Sequence, residues 1–100
     1  MRHLRWSDDA LDDLESQVVH IARDNPAAAA RRVAKRIRET GTALRDFATG
    51  HPGRVAGTYE KSVTPLPYII VYGLSDDRKI LTIFRVIHTA RDGRPGDWPE

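Results

Sequence analysis

Apolar residues in the first half of the chain recur at spacings of three and four, which is the period of an amphipathic helix. Two such stripes occur, separated by a short polar segment. Their members are Ala10, Leu11, Leu14, Val18, Ile21 and Ala22, then Ala30, Val33, Ala34, Ile37, Gly41 and Leu44. The pattern therefore predicts two consecutive helices, each with one face turned towards a core.

The ends of these helices carry local signals. Ser7 is expected to cap the first helix, because its hydroxyl can accept from free backbone N–H groups. The residue before a proline avoids the helical region, so the first helix should end at "DNP", and Asn25 and Pro26 should begin the second helix. The short connection predicts an antiparallel α-hairpin.

The remaining segments show the alternation, or the β-branched and aromatic content, of β-strands. "HLRW" (His3 to Trp6) predicts a short first strand. Three more are predicted in "RVAGTYEKSV", "LPYIIVYGL" and "KILTIFRVIH", with the polar turn "SDDR" between the last two. The predicted order is β-α-α-β-β-β, an α+β fold with the α-hairpin packed on one face of a small antiparallel sheet.

The last of these strands is apolar on both faces. Strict alternation would place Leu81, Ile83, Arg85 and Ile87 on one side, and Ile80, Thr82, Phe84 and Val86 on the other. A strand of this kind is expected inside the sheet rather than at its edge. After His88 the pattern fails, so residues 89–100 are predicted to be an irregular tail anchored by Trp98, within a single domain of residues 1–100.

Composition narrows the class of protein. The 100 residues include no cysteine, which excludes disulfides and thiolate chemistry, and the apolar content of 40% is that of a globular domain. The longest apolar run is too short to cross a bilayer, so no membrane association is expected. The N-terminus lacks the apolar region of a secretory signal, and the cytoplasm is the expected location.

The net charge of +2 is unevenly distributed. Acidic residues predominate from Asp8 to Asp24, and basic residues predominate from Pro26 to Arg45. Such asymmetry indicates either a surface for nucleic acid or an acidic protein, or pairing between an acidic and a basic helix lying side by side.

The sequence lacks the residue patterns of most catalytic and ligand-binding sites. The four histidines lack metal-ligand spacing and the glycines do not form a phosphate-binding loop, so neither a metal nor another cofactor is expected. A phosphodiester site built from a base and several cations remains, and its candidates are Arg54, Glu60, Lys61, His88 and Arg91.

Each candidate also has a structural alternative. Arg54 and Glu60 can be exposed charges that protect an edge strand from pairing. His88, at a strand end, is more often a packing residue, and Tyr72 is expected in the core rather than as a stacking platform for bases.

The order of motifs resembles the RelE/ParE superfamily of bacterial type II toxins, and within it the ParE branch. The matching stretches are "WSDDALDDLESQVVHIARDNPAAAARRV", "GRVAGTYE", "PYIIVYGL" and "ILTIFRVIHTARD", which together span nearly the whole chain. The resemblance implies a β-α-α-β-β-β domain and a ParD-like antitoxin with a ribbon-helix-helix DNA-binding part. Operator DNA would be contacted only through that antitoxin.

The resemblance also implies a target, which differs between branches. ParE-like toxins poison DNA gyrase and arrest growth, whereas RelE-like toxins cleave messenger RNA on the ribosome. RelE-like nucleases usually carry an arginine where this chain has Ile69, and isoleucine can neither bind nor neutralise a phosphate. The "HxxR" ending, His88 and Arg91, is kept, while Tyr59 in "GTYE" departs from the ParE-like "GTRE".

We therefore expect a gyrase-directed toxin with no catalytic residues. The alternatives are a ribosome-dependent endoribonuclease that uses Lys61, His88 and Arg91, and a non-toxic module that titrates an antitoxin. The expected target contacts are Arg54, Glu60, Arg91 and Trp98. An antitoxin segment is expected in an apolar groove between the α-hairpin and the sheet, in contact with Leu11, Leu14, Val18, Val33 and Ile37.

Overall fold

The computed structural model describes residues 2–90, and its elements follow the predicted order with one addition. The first strand, β1 (His3–Trp6), precedes two helices, α1 (Asp8–Asp24) and α2 (Ala27–Ala43). Four strands follow: β2 (His51–Pro52), β3 (Tyr59–Ser62), β4 (Tyr68–Leu74) and β5 (Ile80–His88). The two-residue β2 is the addition, and it lies at the edge of the sheet, whose order is β1-β5-β4-β3-β2.

The sheet is mixed rather than wholly antiparallel. β1 pairs parallel to β5, with His3 opposite Ile80 and Trp6 opposite Ile83, while the other neighbours are antiparallel. Successive strands joined by short turns can only be antiparallel. The two helices connect β1 to the other strands, and such a crossover permits parallel pairing. The α+β class and the packing of the α-hairpin on the sheet are confirmed.

Local signals explain the helix ends. Ser7 is extended, and its Oγ accepts a hydrogen bond from the Ala10 N–H at 3.0 Å, as predicted. Asn25 does not begin α2: it is the C-cap of α1, and its Nδ2 donates to the Ile21 carbonyl at 3.1 Å. Pro26, which has no N–H to satisfy, takes the cap position before α2.

The main core lies between the α-hairpin and one face of the sheet. Its buried members on the helices are Ala10, Leu14, Ala34, Ile37 and Leu44, and on the sheet Tyr68, Ile70, Tyr72, Leu81, Ile83 and Val86. Val71 and Ile87 are buried on the opposite face, the outer face, against Val55 and Ile69. Both faces of the central strands are therefore covered.

A β-bulge changes the alternation of β5. Val71 pairs with Arg85 and Tyr72 with Ile83, so Phe84 is the extra residue. Val86 consequently joins Leu81 and Ile83 in the main core, and Ile87 turns to the outer face. The strict alternation predicted for this strand is wrong beyond Ile83.

Candidate functional site

Glu60 and Arg54 form an ion pair on the outer face of the sheet. Glu60 lies on β3 opposite Val71, is only 5% exposed, and its Oε2 accepts from the Arg54 backbone N–H at 2.8 Å. The Arg54 Nε lies 3.5 Å from the same oxygen. The carboxylate thus holds the loop between β2 and β3, and Arg54 presents its partly exposed side chain at the surface.

This geometry corrects the structural alternative for Glu60. It is not an exposed charge on an edge strand, because β2 covers that side of β3. Its carboxylate is buried, and the Arg54 side chain is the exposed member of the pair. Gly53 permits this arrangement, because a Cβ there would lie 2.6 Å from the Thr58 Oγ1.

His88 and Lys61 lie on β5 and β3, which are separated by β4. His88 pairs with Tyr68, its ring lies edge-on to the Tyr68 ring at 5.1 Å, and its Nδ1 accepts from the Ala90 N–H at 3.2 Å. These contacts agree with the packing role expected for His88. Lys61 lies on β3 opposite Ile70, two strand spacings from β5, or about 10 Å.

Lys61 lines a cleft of about 490 Å³ beside α2, with Arg36, Glu39 and Phe47 among its other lining residues. Arg91 and Trp98, the other predicted contacts, lie outside the described residues. Within residues 2–90 there is also no cluster of three or more histidine or carboxylate side chains able to hold a metal ion.

The predicted antitoxin contacts divide into two groups. Ile37 is fully buried and Leu14 is 7% exposed, because both pack on the sheet. In this structure these two residues belong to the core, because the hairpin and the sheet close over each other there. Leu11 is 48% exposed, and Val18 and Val33 are partly buried at the margin of the core.

Asp13 and Arg85 form an ion pair that the sequence did not reveal. The Arg85 Nε and Nη2 donate to the two carboxylate oxygens at 2.7 and 3.0 Å, and the Val86 N–H donates to Oδ2 at 2.9 Å. Ser7 Oγ donates to the Phe84 carbonyl at 2.8 Å. Backbone groups at the edge of β5, beyond the end of β1, thus find hydrogen-bond partners at the start of α1. In the sequence, the only signal of this contact was an arginine within an apolar strand.

The acidic and basic helices do not pair with each other. The ion pairs of the described residues are Lys35 with Glu39, Arg54 with Glu60, and Arg85 with Asp13, and none joins a carboxylate of α1 to a base of α2. The interpretation that the acidic and basic helices pair through their opposite charges is therefore wrong. The bases of α2 extend towards solvent, because the core stripe occupies its other side.

Tyr72 connects the core to the chain before β2. It is fully buried, stacks on Tyr59 at 5.5 Å, and its hydroxyl accepts from the Gly50 N–H at 3.0 Å. Desolvation raises the pKa of Tyr72 above its ordinary value of 10.0, although the Gly50 N–H opposes the shift. Its core position agrees with the sequence prediction.

The raised pKa of Tyr72 predicts a loss of stability in alkali. Below pH 10 the tyrosine is neutral in both states, and above it the unfolded chain loses the proton first, so the free energy of unfolding falls as pH rises. Urea denaturation between pH 8 and 11 should show this decline, and Tyr72→Phe should reduce it. Tyr59→Phe is the matched control. An unchanged decline in the Tyr72 variant would contradict the assignment.

The sequence is similar to known toxins over most of its length. Residues 4–93 match the family described as the ParE toxin of the type II toxin-antitoxin system parDE. A Sinorhizobium fredii protein named "Putative toxin Y4kP" is 42% identical over 83 residues, which are 82% of this chain and 85% of that protein.

Solved structures share the fold. The chromosomal ParDE TA system from P. aeruginosa matches with a TM-score of 0.79 and 22% identity, over 86% of this chain and 94% of that chain. The RelBE2 toxin-antitoxin complex from Mycobacterium tuberculosis matches with a TM-score of 0.61 and 22% identity, over 87% and 96%. The chain therefore shares the fold of both systems. Given the match over residues 4–93, the chain belongs to the ParE toxin family of type II toxin-antitoxin systems.

No helix within residues 2–90 is long and apolar enough to cross a membrane.

Proposed function

We propose that this chain is a non-catalytic toxin that inhibits DNA gyrase and is neutralised by an antitoxin. The observation that carries the first part is the apolar cluster around Ile69 on the outer face. Ile69 packs there with Val71, Ile87 and Val55, at the position where RelE-like nucleases usually carry an arginine. A face without that cation lacks a group that would stabilise a charged phosphodiester transition state.

The separation of Lys61 from His88 supports the same proposal. General acid-base catalysis needs its proton donor and acceptor within hydrogen-bond reach of the reacting group. His88 contacts Tyr68 and the Ala90 N–H, and the backbone of Lys61 lies two strand spacings, or about 10 Å, from that of β5. Arg54 is the better candidate for a protein contact, because Glu60 orients it and its side chain remains 41% exposed.

Removing the Arg54 side-chain charge should weaken gyrase inhibition. Arginines oriented at a surface are frequent hot spots, so Arg54→Gln should raise the concentration needed to inhibit supercoiling about tenfold. Arg31→Gln removes the same charge from an exposed position on α2 and is the control. Arg91→Ala should also reduce inhibition if the segment outside the described residues contributes.

The result that would overturn the gyrase proposal is normal supercoiling with the unaltered chain in large excess over gyrase. Cleaved transcripts after induction in a bacterial host would favour the endoribonuclease instead. Unhindered growth on induction without an antitoxin would favour the non-toxic module.

The proposed partner is a ParD-like antitoxin with a ribbon-helix-helix DNA-binding part. The named structural neighbours are themselves a ParDE system and a RelBE2 toxin-antitoxin complex. Leu11 and Val19 are about half exposed on α1, and helical spacing places them on one side together with Val18. Exposed apolar groups clustered in this way indicate a protein contact.

Changing this side of α1 should weaken the antitoxin complex without affecting the fold. We expect Leu11→Asp combined with Val19→Asp to raise the dissociation constant at least tenfold, because each buries a charge in an apolar contact. Ser16→Asp, exposed on the same helix, is the control. Hydrogen exchange of the complex should show protection within residues 8–45. Unchanged affinity of the double variant, or no protection in that range, would contradict the placement.

A further inference from the structure

Five basic residues meet at the end of the sheet opposite His88. Arg2 precedes β1 and His3 is its first residue, Arg45 follows α2, and Arg78 and Lys79 precede β5. With Asp46, these residues line one cleft of about 660 Å³. The length of β5 places the cleft about 26 Å from His88, so it is separate from the surfaces discussed above. We call it the basic cleft.

Backbone hydrogen bonds bring the three segments together. The Arg2 N–H donates to the Arg45 carbonyl at 3.3 Å, and the His3 N–H donates to the Lys79 carbonyl at 2.7 Å. Arg78 has a positive φ of 62°, in a turn closed by its N–H to the Ser75 carbonyl at 2.8 Å. The clustering therefore follows from the pairing of β1 with β5 and from the packing of the chain after α2.

A single carboxylate offsets the positive charge in the lining of the basic cleft. None of its five bases takes part in the ion pairs found within residues 2–90. The nearby Asp77 carboxylate accepts from the Ser75 hydroxyl at 2.7 Å and from the Lys79 N–H at 3.0 Å, so it is engaged in its own turn. Asp46 is the one acid in the lining.

Two donors in the cleft also lack acceptors. The Nε atoms of Arg2 and Arg45 are buried and have no hydrogen-bond partner among the described residues. A buried donor of a charged group without an acceptor is unfavourable, and neighbouring like charges add to that cost. An anion with several oxygen atoms would offset the like charges and offer acceptors to the guanidinium groups of Arg2 and Arg45.

The lining indicates what kind of anion fits. All six lining residues are charged or titratable, and none is aliphatic or aromatic. A protein partner would be expected to use apolar or aromatic anchors, and bases of a single strand would be expected to stack on aromatic rings. Phosphate groups along a nucleic-acid backbone need only cations and N–H donors.

We propose that the basic cleft binds the phosphate backbone of a nucleic acid. The contact is independent of base sequence and weakens with salt. It does not depend on whether gyrase is the target or on the identity of the antitoxin.

The test is binding of the purified full chain to a labelled 20-base-pair DNA duplex and to a labelled single-stranded RNA of equal charge. Binding is measured by fluorescence anisotropy at several salt concentrations. Arg78→Gln combined with Lys79→Gln removes two exposed charges of the cleft. The affinity should fall at least tenfold near 0.1 M salt, and the slope of log K against log salt should decrease by about 1 to 2. The nucleic acid bound more tightly identifies the source of the phosphates.

Arg31→Gln combined with Arg32→Gln is the matched control, because it removes the same charge from exposed positions on α2. This control should leave the affinity within about twofold of the unaltered chain. An equal loss in both double variants would overturn the proposal, since it would mean that net charge alone causes binding. Binding of polyglutamate as tightly as DNA would overturn it too. Thermal stabilisation of the chain by inorganic phosphate, without any binding of nucleic acid, would also overturn it. Thermal unfolding of each variant verifies that the fold is retained.

Discussion

Asp13→Asn should lower the free energy of unfolding by about 3 kcal/mol, the magnitude expected when one partner of a largely buried ion pair is removed. The carboxylate is 16% exposed and the Arg85 side chain 29% exposed. Asparagine has one carbonyl oxygen in place of two charged ones, so it cannot satisfy the two guanidinium donors and the Val86 N–H together. Urea denaturation measures the change.

Asp12→Asn is the control for this prediction. Asp12 is the exposed neighbour of Asp13 on α1, and its replacement should change the free energy of unfolding by less than about 0.5 kcal/mol. Equal effects of the two substitutions would mean that the charge of α1 matters rather than its bond to β5. In that case the pair would have no special role in holding the helix on the sheet.

Gly50→Ala should also destabilise the fold by about 3 kcal/mol, since overpacking and the loss of a hydrogen bond act together. A Cβ at position 50 would lie 2.7 Å from the Glu60 carbonyl and 2.7 Å from the Tyr72 hydroxyl. The carbonyl belongs to the β3 backbone and cannot rotate away. Separation of Gly50 from β3 would break the bond from its N–H to Tyr72, at the centre of the core.

Gly57→Ala separates steric crowding from backbone conformation. Gly57 has a positive φ of 83°, but no atom lies within 4 Å of a Cβ built there. Alanine should therefore cost only about 1 to 2 kcal/mol, from the left-handed conformation alone. Thermal or urea denaturation of both variants would reveal the difference, and a smaller effect at Gly50 than at Gly57 would contradict the close approach.

The position of Gly50 also links the core to the proposed target contact. The chain between Gly50 and β3 carries Arg54, and Glu60 holds that loop through the Arg54 N–H. A substitution that displaces β2 should therefore reduce gyrase inhibition as well as stability. Arg54→Gln should affect inhibition more than stability, because the Arg54 side chain is 41% exposed.

The sequence alone determined the features that depend on neighbouring residues. The period of apolar residues located both helices, Ser7 and Pro26 marked where they begin, and β-branched residues located the main strands. The order of motifs indicated the family, and Ile69 indicated the branch within it. These signals are local, or are carried by residue identity, so they are present before the chain folds.

Tertiary structure decided everything that depends on residues distant along the chain. Asp13 and Arg85 are 72 positions apart, and nothing near either of them indicates the other. The burial of Glu60 required β2 at the edge, and the parallel pairing of β1 with β5 required the crossover through the helices. The basic cleft arises from the same pairing, because β1 brings Arg2 beside Arg45 and Lys79 only when the sheet has formed.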